Sequence, residues 1–189
     1  MDRVGRELAE SEHFHGELAD NVMLVIRAVV FFLSARLRAP KAYQREDGKG
    51  ATAVEDDLQG DLFDWLQSGA LTHGLPIYEP QKVGGGRADI AVGFTAHQVV
   101  NELKRETRDS SRDTMQATYA EQGASYDATD YPFGIVVVLD VSGEPPSTPR
   151  LDECVWVYRH EDSGGMRWLV FIRVPGRLST PSAHTARAK

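Results

Sequence analysis

"GGGRADIAVGFTAHQVVNELKRE", residues 84–106, decides the fold. Apolar and polar residues alternate on both sides of the short break "TAH", which predicts a hairpin of two strands over 87–94 and 98–106. Because side chains alternate faces along a strand, Asp89, Ala91 and Gly93 share one face and Ile90, Val92 and Phe94 the other. On the second strand Val100, Glu102 and Lys104 share a face, with Val99 and Leu103 opposite. If the apolar sets turn to the core, Asp89, Glu102 and Lys104 project together to the outer side, with Lys104 partly exposed.

Working outward, "PIYEPQKV" at 76–83 predicts a third strand. Before it, a helix from near Thr52 runs through "AVEDDLQGDLFDWLQSG", with Leu58, Leu62, Trp65 and Leu66 on its apolar face, acids in its first turn and Gly69 as its stop. After the hairpin, a helix from about Asp113 carries Met115, Tyr119, Gln122 and Tyr126 at three- and four-residue steps. "FGIVVVLDV" at 133–141 is the near-continuous β-branched run of a central strand covered on both faces. "CVWVYRH" and "RWLVFIRV" predict two more strands joined by the turn "EDSGG".

Residues 5–38 read as a helix, with Leu18, Val22, Val25, Val29, Phe32 or Leu33, and Leu37 in one stripe. The expected organisation is an N-terminal helical extension over 1–40, a loop or linker over 41–53, an α/β domain with a mixed sheet over 54–176 and a disordered tail over 177–189. The stripe at 18–37 is expected to pack on a core or on a partner, either a second copy or another protein.

Composition narrows the functional classes. The 189 residues are 41% hydrophobic, enough for one domain with a real core, and 21 Lys plus Arg against 28 Asp plus Glu give a net charge of -7. Any polyanion site must therefore be local, and Lys82, Arg87, Arg105, Arg108 and Arg112 are its candidate basic groups. The single cysteine, Cys154, permits neither an internal disulfide nor a zinc-ligand spacing. The longest apolar run, "VMLVIRAVVFFL" at 22–33, contains Arg27 and falls short of the roughly 20 apolar residues of a bilayer span. A cytoplasmic protein without membrane association is the expectation.

Two carboxylates converging on one point repel unless a cation sits between them. A hard divalent ion meets that need, and Mg2+ takes one or two carboxylates while keeping waters and substrate phosphate in its other positions. Lys104, two residues from Glu102, would stand beside the metal-bound water, where an ammonium orients the nucleophile and stabilises charge developing on a phosphate.

Asp89 followed by "ELK" at 102–104 on the next strand, with an acidic helix before and a Gln/Tyr helix after, resembles the PD-(D/E)XK nuclease superfamily over residues 52–141. The resemblance implies a restriction-endonuclease-like αβββαβ core and a nuclease that hydrolyses phosphodiesters, DNA rather than RNA, with Mg2+ or its substitute Mn2+. It implies that Asp89 and Glu102 hold the metal, that Lys104 positions the attacking water, and that Glu55 on the preceding helix is a further metal ligand. Gln122 and Tyr126 match a supporting Q-x-x-x-Y pattern, with "QATY" at 116–119 a looser match, and Ala88 stands where the family's motif has proline. The alternative is a catalytically inactive module of the same fold that binds nucleic acid or protein within a larger assembly.

Overall fold

The computed structural model describes residues 1–44, 53–71, 73–78, 81–83, 86–87, 89–124, 132–142, 149–162 and 165–178. Four α-helices run over Asp2–Leu8 (α1), Gly16–Arg38 (α2), Glu55–Trp65 (α3) and Arg112–Ala124 (α4). Eight strands run over Leu75–Tyr78 (β1), Gln81–Val83 (β2), Gly86–Arg87 (β3), Ile90–Gly93 (β4), Gln98–Glu106 (β5), Phe133–Asp140 (β6), Val155–Asp162 (β7) and Gly165–Pro175 (β8). Six of them form a mixed sheet in the order β1-β4-β5-β6-β8-β7. The pairs β1/β4, β4/β5 and β7/β8 are antiparallel, whereas β5/β6 and β6/β8 are parallel.

Both faces of this sheet are covered. On one, Ile90, Val92, Val99, Leu103, Ile135, Val137, Leu139, Val170, Ile172 and Val174 form a single cluster with Val22, Val25, Val29 and Phe32 of α2 and Leu58 and Leu62 of α3. On the other, Val136, Val138, Leu169, Phe171 and Trp156 pack against Met115 and Ala120 of α4. A parallel pair needs a crossover connection, and α4 is the one between β5 and β6. Its approach is close: a Cβ at Gly123 would lie 2.7 Å from Val136 Cγ2.

The structure redraws several expected elements. The span 5–38 is two helices, broken before Gly16, whose φ of 58° is left-handed and favours glycine. The span 76–83 divides between β1 and β2, and 87–94 between β3 and β4, because β2 and β3 pair with each other as a separate two-stranded sheet. Apart from that hairpin, the order from α3 onward is α-β-β-β-α-β. Leu178, expected in the tail, is buried and donates its N–H to the Gln44 carbonyl at 2.9 Å. Residues 179–189, and most of the 41–53 loop, lie outside the described residues.

The helices of residues 1–40 share the core of the sheet. Val4 and Leu8 of α1 join the same cluster as α2. Arg36 of α2 donates to both oxygens of Asp61 on α3, at 2.5 and 2.7 Å, and Tyr43 donates to the same carboxylate at 2.9 Å. The hydrogen bond to Asp61 chiefly holds the Arg36 pKa above its ordinary value. By length and composition α2 is apolar enough to cross a membrane, and half of its apolar window is buried inside the fold.

Candidate active site

Strand β5 outruns its neighbour. Its ladder with β4 extends from Gln98 opposite Gly93 to Asn101 opposite Ile90 and stops there, whereas its ladder with β6 continues from Asn101 to Glu106. Residues 102–106 therefore have one free edge, where buried backbone donors need other partners. Two carboxylates supply them. The N–H of Leu103 donates to Asp89 Oδ2 at 2.7 Å, and the backbone N–H of Arg105 lies near enough to the Glu55 carboxylate to work downward on its pKa. Asp89 lies in a bend one residue before β4, so it reaches this edge from the point where the ladder ends.

Glu102 and Lys104 share the face of β5 that α4 covers, in register with Val136 and Val138. The Lys104 ammonium pairs with Glu102 Oε1 and stands 3.9 Å from Asp89 Oδ2. Burial raises the Glu55 pKa above its ordinary value; Lys104 opposes that rise, and Asp89 and Asp56 add to it. Asp89 and Glu102 thus share the Lys104 ammonium, and Glu55 lies near enough to feel the charges of Lys104 and Asp89.

The expectation of an outer, solvated side is corrected for the middle of this group. Glu102 is only 4% exposed and the Lys104 side chain 16%, because the crossover helix covers the face on which they lie.

Two supporting side chains lie outside the set the sequence favoured, Gln59 with no site role expected and Tyr119 as the looser alternative to Tyr126. Gln59, buried on α3 between Leu58 and Leu62, donates Nε2 to the Asp89 carbonyl at 3.1 Å. A glutamine beside two core leucines was the available signal. Tyr119 of α4 places its hydroxyl 3.0 Å from Glu106 Oε2 and 3.2 Å from the Arg105 carbonyl, so the looser "QATY" match puts its tyrosine at the end of β5. Burial, then the Glu106 carboxylate, raises the Tyr119 pKa and keeps the phenol protonated. Glu106 is itself buried, which works upward on its pKa, but the N–H groups of Arg108 and Asp109 and the Tyr119 hydroxyl outweigh burial and hold it below the ordinary value.

Gln122 is exposed on α4, next to Gly123, which faces the sheet. Tyr126 lies outside the described residues, as do the side chains of Lys82 and Arg87, whose backbones belong to β2 and β3. Arg105 is half-buried and Arg108 exposed in the loop after β5. Arg112 stacks over Trp156, 5.0 Å from the ring centre.

Among the described residues, no group of three or more His, Cys, Asp or Glu side chains is arranged to hold a metal ion. The donors that suit a hard cation are Asp89 and Glu102, whose oxygens both address the Lys104 ammonium, and a two-carboxylate set is the usual protein share of a Mg2+ site. Comparisons with protein-family models, with curated proteins and with solved structures return no match. The functional reading rests on the geometry of this site.

Proposed function

We propose that this chain is a metal-dependent nuclease with a restriction-endonuclease-like core, acting on DNA. The observation that carries the reading is the meeting of Asp89, Glu102, Lys104 and Glu55 at the free edge of β5, on an α-β-β-β-α-β framework. Asp89 and Glu102 would hold Mg2+ or Mn2+, with Glu55 as a further carboxylate. When bound, such an ion supplies Lewis acidity at a phosphate oxygen and lowers the pKa of water. Lys104 would hold the attacking water and stabilise negative charge developing on the phosphate oxygens. Arg105 and Arg108, directly after the "ELK" stretch, give an acidic chain its local attraction for a phosphate backbone.

The test is cleavage of labelled plasmid, linear DNA and RNA with Mg2+, Mn2+ or EDTA, comparing the wild type with Asp89→Ala and Lys104→Ala. The expected result is metal-dependent DNA cleavage that falls at least ~100-fold in either variant. Wild-type protein that cuts nothing with either metal, or cleavage undiminished by Asp89→Ala, overturns the reading.

One observation favours the inactive-module alternative: Lys104 already balances part of the charge of Asp89 and Glu102. Calorimetric titration with Mn2+ separates the two, because the inactive module predicts no heat that depends on Asp89.

A further inference from the structure

Asp89 is the least supported member of the group by secondary structure. It stands in a bend outside β4, yet its carboxylate must meet both the Leu103 N–H and the face of Lys104. Its backbone is fixed from the opposite side of the sheet by Gln59, whose amide donates to the Asp89 carbonyl. Gln59 lies one helical turn after Glu55, so the same stretch of α3 sets Glu55 near the Arg105 backbone and Gln59 on the Asp89 carbonyl. Two residues further on, Asp61 locks α3 to α2 through Arg36.

We propose that Gln59 is a positioning residue that sets the place of Asp89 against β5. In its absence the bend loses the hydrogen bond that ties the Asp89 carbonyl to α3, and the carboxylate loses its fixed alignment with Leu103. A role for Gln59 in metal binding rests on the nuclease reading; its role in placing Asp89 does not. Partners that orient metal ligands in this way are typically worth about 10- to 100-fold in metal affinity.

The experiment therefore has two readouts. The first is amide hydrogen exchange at Leu103, whose N–H reports the Asp89 contact directly, with Val137 and Ile172 as references in the central strands. The second is Mn2+ affinity by calorimetry. The variants are Gln59→Leu, which keeps bulk and removes the donor, and Gln59→Glu, which restores a donor only when its carboxyl is protonated.

In Gln59→Leu, Leu103 exchange is expected to rise at least ~10-fold while Val137 and Ile172 stay unchanged, and Mn2+ affinity to fall by about 10-fold or more. In Gln59→Glu, Leu103 protection is expected to return as the pH is lowered. Unchanged Leu103 exchange overturns the proposal. A uniform rise at all three amides also overturns it, because Gln59 would then serve only global stability. If wild type binds no Mn2+ and cuts no DNA while Leu103 responds as expected, the nuclease reading fails and the positioning role stands.

Discussion

The two halves of β5 differ in what their backbone meets. Residues 98–101 are hydrogen-bonded into a sheet on the β4 side, and Val99 and Val100 among them are buried. Among the described residues, 102–106 pair only with β6, and Asp89, Glu102 and the Lys104 ammonium gather at the edge that β4 leaves open, with Glu55 nearby. The lesson is that an interrupted ladder is itself a source of chemistry. Backbone donors that no strand takes are satisfied by carboxylates, and carboxylates brought together in a half-buried place need a cation.

The strongest way to break the contrast is Lys104→Met. Glu102, which is buried, would lose the ammonium it pairs with, and breaking a buried pair by removing one partner typically costs about 3–5 kcal/mol. A loss of about 3 kcal/mol in urea unfolding at neutral pH is expected. The double variant Lys104→Met/Glu102→Gln should recover much of it, because the orphaned charge is gone. Cleavage assays of Lys104 variants must therefore be read beside their unfolding curves.

The paired half of the strand has its own irregularity, and this offers the next test. Asn101 is fully buried, and among the described residues neither its Oδ1 nor its Nδ2 has a hydrogen-bond partner. Its neighbours across the sheet are Ile90 and Ile135. Leaving a buried polar group unpaired costs roughly 1–3 kcal/mol, so Asn101→Leu is expected to stabilise the protein by about 1 kcal/mol in the same unfolding experiment. A destabilised variant would show that a bridging group holds the amide, and the contrast between the two halves would weaken.

The smallest effect concerns the turn from which β5 starts. Asn21 of α2 donates Nδ2 toward His97 Nε2 at 3.1 Å and takes His73 Nε2 on its Oδ1 at 2.9 Å, which ties the turn to α2. Burial lowers the His97 pKa, and Glu17 opposes that only in part. A histidine whose folded pKa lies below its ordinary value of 6.5 binds fewer protons in the native state. Its contribution is present above about pH 6.5 and is lost as the pH falls through the folded value. Stability measured from pH 8 to pH 5 should therefore decline less in His97→Gln than in wild type; parallel curves would remove His97 from the account.

Much of the site was legible because its spacing is local. The two-residue step from Glu102 to Lys104, and their apolar neighbours Val99 and Leu103 on the opposite face, follow from strand geometry alone. The place of Glu55 in the first turn of α3 and the covered β6 strand were readable in the same way, one from helix-start acids and one from an unbroken β-branched run. Gln59 was not legible as a site residue, and Tyr119 only as the looser alternative to Tyr126, since each acts on a partner at least 13 positions away. The alternation over 76–94 gave no sign that the chain leaves the main sheet for the β2–β3 hairpin, because a period of two records the strand and not its partner.

By itself the sequence determined which side chains share a face, where apolar runs demand cover, and that Asp89, Glu102 and Lys104 stand apart from the apolar set. These follow from the two-residue period of a strand and the 3.6-residue period of a helix, both properties of the chain over a few residues. Only the tertiary structure decided that β4 stops at Ile90, that α4 buries Glu102, and that α3 brings Glu55 and Gln59 to the same edge. Burial and edge satisfaction depend on which distant segment arrives, and no local period encodes that.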